Sequence, residues 1–106
     1  MREGSKAMYA VLIHTHVKSD QVEEVDRRAD REIVPHLKQQ RGFQRQVALF
    51  DPPSGEHLVL TFWDSEADFA AWRDSATRRQ WQAALAPYRR QEAVVKGYQV
   101  TRDAEK

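Results

Sequence analysis

Three of the chain's four histidines stand where ring nitrogens could do acid–base or metal chemistry. His14 and His16 lie two apart in Met8-Tyr9-Ala10-Val11-Leu12-Ile13-His14-Thr15-His16-Val17. On a strand that spacing sends both rings to one face. Two imidazoles are half of a metal site, but no carboxylate or third histidine accompanies them at a defined spacing, so no metal is expected. His57 joins them only if the strands pair in one particular register. Histidine titrates near neutrality, which makes His14 the candidate general base or hydrogen-bond partner of a substrate. Trp63 shares strand parity with Val59 and Thr61 and is the candidate wall of a pocket. Trp81, with Leu85 four residues on, reads as helix packing. The pairs Arg27-Arg28, Arg78-Arg79 and Arg89-Arg90 read as solvated helix faces. No serine or threonine has a nucleophile context, and there is no phosphate-binding loop.

These residues need elements to position them. Met8–Val17 alternates as a strand with two distinct faces. Ser19-Asp20 offers an N-cap, with Asp20 and Glu23 spaced as a capping box. Val22, Val25, Ala29, Ile33 and Leu37 then recur at spacings of three and four, the stripe of one amphipathic helix. Pro35 should bend its last turn, because it lacks an N–H and crowds the carbonyl four residues earlier. Gly42 should end it in a left-handed conformation. Phe43–Phe50 and His57–Trp63 form a hairpin across the turn Asp51-Pro52-Pro53-Ser54-Gly55. Ser65 caps a second helix, which Asp74-Ser75 interrupts and recaps. Ala93–Thr101 is the last strand. The order β-α-β-β-α-β is the split βαβ pattern, an α+β ferredoxin-like fold with a four-stranded antiparallel sheet and both helices on one face.

Length and composition bound the rest. A chain of 106 residues has room for one domain and a modest core. Residues 8–101 are expected to form it, between tails at 1–7 and 102–106. Seventeen basic and sixteen acidic residues leave a net charge of +1, which gives no reason to expect nucleic acid or a membrane surface as partner. No apolar run approaches the roughly 20 residues of a membrane span. The absence of cysteine excludes disulfides and thiolate chemistry and suits a cytoplasmic location.

Helices cover one sheet face only, yet both faces of the best strands are apolar. Leu58, Leu60 and Phe62 point one way, and Val59, Thr61 and Trp63 the other. Each large apolar side chain left exposed forgoes roughly 1.5–3 kcal/mol of burial. The expected solution is a homodimer with two sheets packed face to face. The more polar face, with His14, His16, His57, Thr61 and Trp63, is expected to line the space between them.

Gly42-Phe43 after a proline-containing helix, and the stretch Thr61-Phe62-Trp63-Asp64-Ser65-Glu66-Ala67-Asp68-Phe69, resemble the antibiotic biosynthesis monooxygenase family of dimeric α/β barrels. The resemblance spans about residues 8–101. It implies cofactor-independent oxygenation of a small aromatic, of anthrone or quinol type: the substrate loses a proton, and its carbanion passes an electron to O2. Trp63 matches the tryptophan of that site. Val59, Phe69 and Gln82 stand where the family's oxygenases have asparagine, tyrosine and arginine. In the haem-degrading branch, Trp72 matches the helix tryptophan, but Leu12 and Gln82 replace the asparagine and the axial histidine. No haem and no other cofactor are therefore expected. The expected site has His14 as base and Trp63, Trp72, Thr61, Gln82, Leu12, Val59 and Phe69 around the substrate. The alternative is a non-catalytic small-molecule binder or dimerisation module on the same scaffold.

Overall fold

The computed structural model describes residues 8–106, so the tail expected over 1–7 lies outside the described residues. Strand β1 (Met8–His16) is followed by a 3-10 turn (Ser19–Gln21) and helix α1 (Val22–Glu32). A short helix α2 (Val34–Leu37), the hairpin β2 (Phe43–Asp51) and β3 (Glu56–Trp63), and helices α3 (Glu66–Arg73) and α4 (Ala76–Leu85) come next. Strand β4 (Val94–Val100) completes the fold, and residues 102–106 follow it exposed and without regular structure. The strands form one antiparallel sheet in the order β2-β3-β1-β4. This is the ferredoxin-like arrangement that the element order implies. Among the described residues no helix is long and apolar enough to cross a membrane.

Local chemistry accounts for where the elements start and stop. The side chain of Ser65 accepts from the Asp68 N–H at 3.1 Å and starts α3. The Ser75 side chain accepts from the Arg78 N–H at 3.2 Å and restarts the chain as α4. The capping box expected at Asp20 and Glu23 does not form: Ser19–Gln21 tightens into a 3-10 turn, and Gln21 leads into α1 with no side-chain cap. The break at Pro35 comes two residues before the proline, at Ile33, and α2 restarts with Pro35 in its first turn, where no N–H is needed. Along α1 the i,i+4 pairs that the sequence spacing offers, Glu23–Arg27 and Glu24–Arg28, do not form; Arg27 pairs with Glu24 at 2.7 Å. Arg28 instead makes a bidentate pair with Glu32, at 2.8 and 2.9 Å. It also reaches over the rings of Trp81 and Tyr88, tying α1 to the end of α4.

The core lies between the helices and one sheet face. Val11 and Trp63 are fully enclosed, with Ile33, Leu37, Phe69 and Trp72 packed around them. The indole of Trp63 meets Phe43 and Phe69 edge-on, with ring centres 5.3 and 5.8 Å away.

Cross-strand partners share a face, and the register decides which residues these are. Thr61 pairs with Val11 and Gln46, and His57 with Thr15 and Phe50, so Val11, Thr15, Gln46, His57, Thr61 and Trp63 face the helices. Leu12 pairs with Leu60 and Lys96, and His14 with Leu58 and Val94. Those residues form the open face. The expected polar face is therefore split: His57, Thr61 and Trp63 lie under the helices, while His14 and His16 lie with the aliphatic residues opposite.

Gly42 has φ +79°, the left-handed conformation expected where the first helical segment ends. A Cβ there would also collide with the Asp68 carboxylate at the start of α3. Gly42→Ala should cost about 1–3 kcal/mol in urea unfolding; Ser65→Ala should cost about 1 kcal/mol through the lost cap. An unchanged midpoint in the glycine variant would show that the loop relaxes freely.

Candidate functional site

The face that carries Thr15, His57 and Thr61 does not pack flush against the helices. Between them lies a cavity of about 290 Å³, close to the lower end of the range for ligand pockets. Its floor is polar: Thr15, His57 and Thr61 are each about 95% buried. Its walls are Ile33, Leu37, Phe69, Trp72 and Trp81, contributed by α2, α3, α4 and the residue between α1 and α2. Arg78, Gln82, Tyr88 and Arg89 close the side formed by α4 and the segment after it.

Each floor group has a defined partner. The Trp63 indole N–H donates to the Thr61 hydroxyl at 2.9 Å. Trp63 itself lies behind the cavity surface and acts on it through that hydroxyl. His57 Nε2 lies 3.2 Å from Asp26 Oδ1, on α1. A carboxylate can only accept, so this contact places the imidazole proton on Nε2 and leaves Nδ1 with the free lone pair. The floor thus holds a base whose tautomer is set by a carboxylate, the arrangement of a general base with its orienting group.

Opposite this pair the cavity carries positive charge. Arg89 donates to Gln82 Oε1 at 2.6 Å. Arg78 has no ion pair among the described residues. Burial, followed by the nearby charge of Arg73, lowers the pKa of Arg78 from the ordinary guanidinium range. Burial, followed by the charge of Arg78, does the same at Arg89. Both groups stay charged, as guanidinium does in proteins. Two half-buried cations without a carboxylate partner favour a ligand that is anionic or becomes so.

The expected site residues divide between two places. Thr61, Val59, Phe69, Trp72 and Gln82 line the cavity, with Trp63 directly behind. Leu12 and His14 do not join them. The even positions of β1 point away from the helices, so both stand across the sheet. The cavity also lies between sheet and helices of one chain, not between two sheets. His57, Asp26, Arg78 and Arg89 complete the cavity beyond the expected set. His57 was visible in its parity with Thr61 and Trp63. Asp26 had a weaker signal: with Val22, Ala29 and Ile33 it lies on one helical row. Arg78 and Arg89 read as solvated because their burial depends on how α4 and the following segment cross the sheet.

Comparison with known proteins places this architecture. A sequence profile described as antibiotic biosynthesis monooxygenase matches residues 8–84. No curated protein matches the chain. Among solved structures it is similar to a variant of SnoaB, a cofactor-independent oxygenase from Streptomyces nogalater, at 13% identity and TM-score 0.74, over 93% of this chain and 98% of that one. It is similar to Rv0793 from Mycobacterium tuberculosis at 15% identity and TM-score 0.74, over 92% and 99% of the two chains. A conserved protein from Methanosarcina mazei aligns at 15% identity and TM-score 0.76, over 92% and 97%. At such identities the structural likeness carries the fold alone. The profile match covers most of the chain, and the protein belongs to the antibiotic biosynthesis monooxygenase family.

Proposed function

We propose that the chain is a cofactor-independent monooxygenase that oxidises a small aromatic of anthrone or hydroquinone type in the cavity between sheet and helices. The observation that carries this reading is the buried His57, held by the partly exposed Asp26, on the floor of an aromatic-walled cavity that is also lined by Arg78 and Arg89. His57 Nδ1 takes the acidic proton of the substrate, and Asp26 stabilises the imidazolium that results. Arg78 and Arg89 hold the negative charge that spreads over the substrate oxygen. The carbanion then transfers an electron to dioxygen, and recombination forms the new C–O bond. For a substrate CH2 the balance is one O2 consumed, one carbonyl formed and one water released. Trp72, Phe69 and Trp81 keep water from the ring system. The base role expected of His14 passes to His57, because His14 is across the sheet.

We further propose that the protein is a homodimer joined through the open sheet face. Leu49, Val94 and Tyr98 are 46%, 63% and 44% exposed there, beside Leu12, Leu58, Leu60 and Phe62. A second copy is the simplest cover for that patch.

Oxygen uptake against a panel of anthrones and hydroquinones tests the chemistry. Wild-type protein should consume oxygen above background, His57→Ala should lose about 10²–10⁴-fold, and His14→Ala should retain the rate. Loss in His14→Ala with retention in His57→Ala would reverse the assignment. A flat trace for every protein, with a small molecule retained through purification, would favour the non-catalytic binder. Light scattering tests the assembly: wild type should have twice the chain mass, and Leu60→Glu should be monomeric with unchanged circular dichroism. A monomeric wild type removes the dimer.

A further inference from the structure

We propose that His14, His16 and Glu56 form a binding site for a borderline divalent cation such as zinc, on the open face of the sheet. One donor atom from each residue lies within 4.8 Å of the other two. The register explains why they meet. His14 and His16 share parity on β1, and Glu56 on β3 is the cross-strand partner of His16. The carboxylate that the histidine pair lacks in the sequence is supplied from 42 residues away, with Glu56 Oε2 2.9 Å from His14 Nε2. The two imidazole rings are 5.3 Å apart, centre to centre. Tetrahedral zinc at its usual bond lengths holds ligand atoms about 3.4 Å apart, so the donors, within 4.8 Å of one another, have only a short way to draw together.

The donors are also braced. Gln91 Nε2 lies 2.9 Å from His16 Nδ1 and steadies that ring. The Ser54 hydroxyl accepts from the Glu56 backbone N–H at 3.1 Å and fixes the start of β3 that carries the carboxylate. Such outer contacts orient metal ligands and raise affinity. Two imidazoles with one carboxylate select zinc, nickel or copper over magnesium and calcium, and three ligands leave a fourth position for water. The site is across the sheet from the cavity and does not rest on the oxygenase reading.

Calorimetric titration of tag-free protein with zinc chloride tests the site. One zinc per chain should bind saturably, at least about tenfold more weakly in each of His14→Ala, His16→Ala and Glu56→Gln. Exposed His36 lies outside the cluster, so His36→Ala should bind as wild type does. The ligand side chains are half-buried in the single chain, on the face that the proposed dimer shares, so far-UV circular dichroism and light scattering verify that each variant folds and keeps the wild-type assembly. If one does not, the wild-type titration remains decisive. The proposal is overturned if wild type shows no saturable binding up to millimolar zinc, or if a His14→Ala, His16→Ala double variant binds undiminished.

Discussion

The pleat of the two central strands is the constraint on which the rest of the structure depends. β1 and β3 are paired from Tyr9 opposite Trp63 through to His16 opposite Glu56. Once that register is set, no side chain on either strand is free to choose its face. Trp63 and Val11 must go under the helices, where aromatic packing encloses them. Thr61, His57 and Thr15 are carried to the same side, at intervals that leave too little apolar volume to fill the space. The cavity follows from that mixture: large residues at the Trp63 end close the core, and smaller polar ones toward His57 leave it open.

Much of this was legible from the residues. Alternation located all four strands, and the caps at Ser65 and Ser75 marked α3 and α4, because each depends on chemistry within a few residues. Parity also showed that the strands have two different faces. It could not show which face the helices cover, since both are rich in apolar residues and the choice is made by packing across the whole domain. That is why His14 and His57, both histidines on central strands, were expected together and are found on opposite sides. The Asp20 cap failed for a related reason. The 3-10 turn accommodates the path from β1 into α1, a tertiary demand that overrides a local preference.

Charge is distributed as unevenly as polarity. Four ion pairs among the described residues run along a helix or between sequence neighbours, as Arg28 with Glu32 and Arg73 with Asp74. Asp26 is instead directed inward to a buried imidazole. Arg78 and Arg89 face the same cavity, and among the described residues the Gln82 amide is the one hydrogen-bond partner of their guanidiniums. A structure under selection for stability alone has little reason to keep cations half-desolvated beside an apolar wall. Departure from local consistency at one place in the fold is the signature expected of a site.

The sheet is also a partition one residue thick. Thr15 and His16 are covalent neighbours, yet one belongs to the floor of the cavity and the other to the opposite surface. The two surfaces can therefore diverge by substitution with little mutual interference, as if encoded on alternate letters of one word. Length is another matter. A single residue gained or lost within β1 would exchange the two alphabets, placing histidines where the hydroxyl stands and aliphatic residues where the cavity opens. In this fold the guarded property of the central strand is its phase, more than the identity of most residues on it.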